Sequence, residues 1–108
     1  METLPVLSLE HRKALVVGGA GGGIGSAITY SLAQAGCEVS VITNDPIHAA
    51  IVESEAVDQG YIVRSHVSDV TDLDDFAGTI DKIIKDNATI QHLVNVVGGA
   101  EVSDWSRA

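Results

Sequence analysis

A short apolar run, Lys-Ala-Leu-Val-Val from Lys13 to Val17, ends in a segment where six of the eleven glycines crowd between Gly18 and Gly25. Ile24, Ala27, Ile28, Leu32 and Ala35 then recur at helical spacing, and Gly36 closes the pattern. A buried strand feeding glycines and then a helix is a strong constraint, because clustered glycines cost backbone entropy that a simple turn does not require. The helix start offers free backbone N–H groups and a partial positive charge, and bare Cα atoms let a phosphate approach. Spacing decides which phosphate. The triphosphate loop G-x-x-x-x-G-K-[ST] is excluded, since Ile24 and Gly25 follow Gly23 where Lys and Ser or Thr are needed. The dinucleotide pattern G-x-G-x-x-G fails too, because it needs a glycine at Ile24 or at Ser26. What fits is G-x-x-x-G-x-G on Gly19, Gly23 and Gly25.

The rest of the chain repeats the strand–helix alternation. Val39 to Ile42 reads as a second strand, followed by Asp45 as N-cap and Pro46 at the first helical position. Ile47, Ala50, Ile51 and Val57 line this second helix, and Gly60 ends it. Tyr61 to Val67 is a third strand, with Tyr61, Val63 and Ser65 alternating against Ile62, Arg64 and His66. A third helix starts at a Thr71 cap, with Asp72, Asp74 and Asp75 in its first turn and Lys82 and Lys85 late, as the helix dipole favours. Its apolar stripe is Leu73, Phe76, Ala77, Ile80, Ile83 and Ile84. Leu93 to Val97 forms a fourth strand before a loop at Gly98-Gly99. The pattern predicts one α/β domain, an open parallel sheet of four strands with three helices on its faces. Residues 1–12 lead into it and 99–108 form a loop.

Charge narrows the partners. Fifteen acidic and six basic residues leave a net charge of -9, which argues against nucleic acid or an anionic membrane surface. The start lacks a basic segment and a long apolar core, so no secretory signal is expected, and no apolar run approaches a membrane span. The expected compartment is the cytoplasm. Cys37 stands alone, which excludes a disulfide framework, and His11, His48, His66 and His92 show no metal-binding spacing. Asp72, Asp74 and Asp75 read as a solvated helix start rather than a catalytic carboxylate group.

The glycine spacing resembles the short-chain dehydrogenase/reductase family, whose usual motif is T-G-x-x-x-G-I-G. Here it stands as Gly18-Gly19-Ala20-Gly21-Gly22-Gly23-Ile24-Gly25, with Gly18 in place of the Thr whose hydroxyl normally braces the loop. Ser68-Asp69-Val70-Thr71-Asp72 resembles the family's D-V-T-D, and Leu93-Val94-Asn95-Val96-Val97-Gly98 resembles L-V-N-N-A-G. The resemblance runs from about Arg12 to Gly99 and implies a Rossmann-like fold, open and incomplete relative to the full family fold. It implies a dinucleotide cofactor, NAD or NADP, held at Gly19, Gly21, Gly22, Gly23, Ile24 and Gly25. Thr43 and Asn44 fall where the family reads the adenosine ribose, and Asp69 where it contacts the adenine amino group. Val70, Asn95, Val97 and Gly98 complete the implied set. Asn95 reads as a buried amide that braces the sheet. An acidic Thr43 position would favour NAD, and basic Gly22 or Asn44 positions NADP. Neither is present, so the cofactor choice stays open, and Asp45 reads first as a cap.

In this family the chemistry is carried by a Tyr, a Lys four residues later and an upstream Ser. Tyr30 is followed at that distance by Gln34 and Tyr61 by Ser65, so the sequence holds no Y-x-x-x-K and no catalytic residue is assigned. The expectation is the cofactor-binding portion of such an oxidoreductase. A non-catalytic nucleotide-binding module is the alternative. Gly21, Gly23 and Gly25 also spell the G-x-G-x-G of methyltransferases, but Val16-Val17 and Ile42-Thr43 lack the acidic residues which that family usually carries there. Gly19, Gly22 and Gly25 permit the glycine pattern of the extended branch, whereas the fourth-strand motif favours the shorter one. The fourth strand would leave an apolar edge, suited to self-association or to a complementing C-terminal half.

Overall fold

A computed structural model describes residues 9–21 and 23–96, which form three strand–helix units and a final strand. These are β1 (Lys13–Val17), α1 (Gly23–Gln34), β2 (Glu38–Thr43), α2 (Pro46–Gln59), β3 (Val63–Val67), α3 (Leu73–Asn87) and β4 (His92–Asn95). All strand pairs are parallel, in the order β3-β2-β1-β4. The expected open, Rossmann-like α/β sheet is therefore present. Its chain steps outward from β1 to β2 and β3, then returns to place β4 on the other side of β1. That reversal of strand order between β1 and β4 is a topological switch point, where open α/β sheets offer a crevice at the strands' C-terminal ends.

The sheet is apolar on both faces because helices cover both. Ala14, Val16, Val39 and Val41 pack with Ala33 and Cys37 on the α1 side. Leu15, Val17 and Ile42 pack with Ile83 on the α3 side. Each fully buried aliphatic side chain contributes about 1.5–3 kcal/mol, so β1 and β2 anchor the domain. Cys37 is one of these core residues, and burial pushes its thiol up from the usual range.

Helix boundaries follow the local chemistry. Asp45 caps α2, its carboxylate accepting from Ile47 N and His48 N. Gly60, in the left-handed region at φ 77°, ends α2 and donates to the last turn. The third helix departs from expectation: its cap is Asp72, which accepts from Asp75 N, and not Thr71. The Thr71 hydroxyl and amide both donate to Asp69 Oδ1 instead.

Two helices also bury faces other than those expected. In α2 the buried residues are Ala49, Val52 and Ala56, whereas Ile47, Ile51 and Val57 are exposed. Small side chains let α2 lie close to β3, and a Glu53 oxygen accepts from both the Ser65 amide and the Ser65 hydroxyl across that contact. In α1 the buried set is Gly25, Ser26, Thr29 and Ala33, and Ile24 and Ala27 face outward. In α3, Ile83 is buried and Phe76 and Ile80 half-buried, but Leu73 is exposed.

Strand β4 ends at Asn95; Val96 still donates its amide to Val17 O, and Val97 lies outside the described residues. Asn95 pairs in register with Val17 but is exposed, which corrects the expectation of a buried amide. The reason is positional: among the described residues β4 has a strand neighbour on one side only, so half of its surface stays open. Leu93 is 67% exposed for the same reason.

Candidate functional site

The C-terminal end of β1 turns into the glycine segment through Gly18, whose amide donates to Ile42 O at 2.7 Å and whose φ is 85°. From there the backbone passes Gly19 and Gly21 into the first turn of α1. Two glycines are required by close packing. A Cβ on Gly25 would lie 2.0 Å from the Gly18 carbonyl oxygen, and one on Gly19 would lie 2.5 Å from Thr29 Oγ1. The start of α1 is thus pressed directly against the end of β1. Gly23 has the opposite surroundings: at φ 69° it has open space where a Cβ would stand, with no atom within 4 Å. Among the described residues no atom crowds that position, and a helix start carries free N–H groups and the positive end of the dipole. That bare cradle fits the pyrophosphate of a dinucleotide.

A brace on this loop escaped the sequence reading. Thr29, fully buried in the second turn of α1, donates its hydroxyl to Gly19 O at 2.8 Å. Gly18 replaces the Thr expected to steady the loop, and Thr29 supplies a hydroxyl from the helix side. No motif marks it, since a Thr amid Ile28 and Leu32 reads as ordinary helix filler.

The ends of β2 and β3 form the next part of the rim. Thr43 is buried; its hydroxyl accepts from Asp45 N and its carbonyl from Ser68 N at 2.9 Å. Asn44 is exposed beside it. Ser68 is buried and donates its hydroxyl to Asp75 Oδ2 at 2.8 Å, and Asp69 N donates to the same oxygen at 3.3 Å. The first turn of α3 therefore holds the β3 loop in place, so Asp75 is structural rather than merely solvated. Asp69 is exposed, and the Thr71 hydroxyl and amide hold its carboxyl below the usual carboxylate range. Both of those bonds fall on Oδ1, at 2.6 and 2.9 Å. Val70 is half-buried against the α3-side core.

A groove of about 320 Å³ flanks the glycine loop between α1 and α2, lined by Gly21, Ser26, Tyr30, His48, Ile51 and Glu55. Here Tyr30 donates to Glu55 Oε2 at 2.9 Å. Burial and the neighbouring Glu55 carboxylate push its phenol up to about 12. It is a bound donor at neutral pH and a poor proton shuttle.

Of the residues named from sequence, Gly19, Gly21, Gly23, Ile24, Gly25, Thr43, Asn44, Asp69, Val70 and Asn95 all stand at the C-terminal ends of the strands or at the start of α1. Gly22, Val97 and Gly98 lie outside the described residues. Among the described residues, no group of His, Cys, Asp and Glu is arranged to hold a metal ion. No helix among them is long and apolar enough to cross a membrane.

Comparison with known proteins matches this geometry. Residues 13–108 match the family model described as short chain dehydrogenase. The chain is 34% identical over 97 residues to a sorbose reductase of Candida albicans, covering 90% of this chain and 34% of that protein. Among solved structures it is similar to a hydroxysteroid dehydrogenase from Escherichia coli, with TM-score 0.78 and 28% identity over 94% of this chain and 43% of that one. A 2-keto-3-deoxy-D-gluconate dehydrogenase from Streptococcus agalactiae gives TM-score 0.77 and 28% identity, over 94% and 41% of the two chains. The chain thus spans about a third of the length of the sorbose reductase that it matches.

Replacing Thr29 by Val keeps the shape and the β-branch but leaves the buried Gly19 carbonyl without its donor. The expected cost is about 1–3 kcal/mol in urea unfolding. An unchanged midpoint would show that the hydroxyl does not brace the loop.

Proposed function

Because the chain belongs to the short chain dehydrogenase family, we propose that it is the dinucleotide-binding part of an oxidoreductase that uses NAD or NADP. The observation that carries this reading is the bare helix start at Gly23, open to solvent and backed by the Gly25–Gly18 contact. The start of α1, from Gly21 to Gly25, holds the pyrophosphate through backbone N–H groups. Thr43 and Asn44 meet the adenosine ribose, and Asp69 and Val70 border the adenine. Asn95 borders the crevice from β4, where Val97 and Gly98 follow it in sequence. The bound cofactor supplies or accepts a hydride, against a carbonyl or an alcohol in the complete enzyme. Y-x-x-x-K is not among these 108 residues, so binding of the dinucleotide, rather than turnover, is the property to test. Cys37, buried and unpaired, suits the reducing cytoplasm to which we assign it.

The same reading accounts for the apolar side of β4. A groove of about 490 Å³ lies beside that strand on the α3 face, lined by Leu15, Val17, Phe76, Ile80, Ile90 and Leu93 among others. We assign this edge to the next strand and helix of the fold, from the same polypeptide or a complementing one. Without them, two copies associate through it.

Titration with NADH, followed by the fluorescence of the reduced nicotinamide, tests the site. Gly23→Asp has open space for its side chain, must hold a left-handed φ of 69° that Asp tolerates better than most residues, and sets a carboxylate where the phosphate would sit. Binding is expected to weaken by at least about tenfold with circular dichroism unchanged, since one such factor is only ~1.4 kcal/mol. Failure of the unaltered chain to bind NADH and NADPH, or equal binding by the variant, contradicts the proposal. For the edge, sedimentation at rising concentration should show association that Leu93→Lys abolishes. A monomer at all concentrations with cooperative unfolding contradicts it.

A further inference from the structure

The glycine loop has a neighbour whose charge changes near neutral pH. Gly21 stands in the left-handed region at φ 101°, and a Cβ there would lie 2.8 Å from His48 Nδ1 and 3.2 Å from His48 Cε1. The His48 ring is therefore set edge-on against a bare Cα, two residues before α1 begins. It comes from the first turn of α2, and both residues line the groove between α1 and α2. His48 Nδ1 also lies 3.5 Å from Asp45 Oδ2, with 43% of the side chain exposed.

Charge elsewhere makes this position matter. Arg12 and Lys13 stand at the start of β1, Arg64 early in β3, and Lys82 and Lys85 in the second half of α3. The rim where the strands end carries Asp45, Asp69, Asp72, Asp74 and Asp75, and among the described residues it holds no lysine or arginine. His11 precedes β1, His92 opens β4, and His66 lies in β3 with Lys82, Asp86 and Glu53 around it. Among the described residues, His48 is thus the group beside the glycine loop that mild acid turns into a cation. Its own helix faces it with Asp45 and, further along the groove, Glu55. From α1 the groove receives Ser26 and Tyr30, whose phenol donates to Glu55 Oε2. The end of β2 contributes only the uncharged Thr43 and Asn44.

We propose that His48 makes the seat at the start of α1 pH-sensitive. Protonated, its imidazolium stands beside Gly21, pairs with Asp45 and adds the positive charge which that rim lacks, so a pyrophosphate is held more tightly. Neutral, it leaves the Asp45 charge uncompensated and the seat relies on backbone N–H groups alone. This inference rests on the dinucleotide reading given above and deepens it by naming a regulator of the same site. Linkage makes the effect reciprocal: bound pyrophosphate must raise the pH at which His48 loses its proton.

The test titrates the full chain with NADH, whose pyrophosphate diester keeps its charges throughout the range in which imidazole titrates. NADH is expected to bind at least about threefold tighter at about pH 6 than at about pH 8, and added salt should narrow the difference. His48→Gln should bind equally at both ends of that range. In parallel, the ring signals of the histidines are followed by NMR against pH, with and without NADH. The His48 midpoint should move up on binding, and those of His11, His66 and His92 should stay. A flat profile, a slope that His48→Gln leaves intact, or an unmoved His48 midpoint overturns the inference while the dinucleotide site stands. Failure to bind NADH at either pH overturns it too, and failure of NADPH as well removes the dinucleotide reading with it.

Discussion

The first turn of α1 rests on the end of β1 with no side chain between them, and everything at the site depends on that contact. A single methyl at Gly25 would come within 2.0 Å of the Gly18 carbonyl oxygen. Such an overlap cannot be relieved by a rotamer change, because the neighbour is backbone. The helix would have to lift away from the sheet, taking Gly21 to Gly23 and the outward-facing N–H groups with it. The contact is possible because Gly18 takes a left-handed conformation and its amide closes onto Ile42 O in β2. Thr29 then ties the same loop to the body of α1. A strand end, a neighbouring strand and a helix are thereby locked around one bare stretch of backbone.

A second lock sets the other side of the crevice. Ser68 and Asp69 leave β3 and are held by Asp75 from the first turn of α3, while Thr71 closes on Asp69. The first lock acts at the ends of β1 and β2, and the second at the end of β3 on the far side of β2. The crevice between them is therefore built from rigid elements rather than from a long loop, which favours a pre-formed ligand site.

Most of the fold was legible because its signals are local. Strand β1 ends where glycines begin, Asp45-Pro46 starts α2, and Gly36 and Gly60 stop helices, each through its own φ preference or capping atom. The buried faces of α1 and α2 were not legible from hydropathy. Ile47 and Ile51 outrank Ala49 and Ala56 in apolar surface, yet α2 lies so close to the sheet margin that small residues meet β3. Asn95 was misjudged for a related reason: an amide in an apolar strand suggests burial, but an edge position overrides it. The glycines of the candidate site were legible because their spacing is a motif. Thr29, Ser68 and Asp75 were not, since each acts through a partner ten, seven or more residues away that only the folded chain brings near.

The family match supports the proposed seat for a pyrophosphate at the glycine loop, and the chain spans about a third of the length of the sorbose reductase that it matches. The central claim is that the start of α1 is that seat. Backbone amide shifts on titration with ADP, read residue by residue in a ¹⁵N-labelled chain, test it without any need for turnover. The account predicts the largest changes at Gly19 to Gly25, with smaller ones at Asp69 to Thr71 and at Asn44. Changes confined to the apolar groove beside β4, or none at all at millimolar ADP, would contradict it.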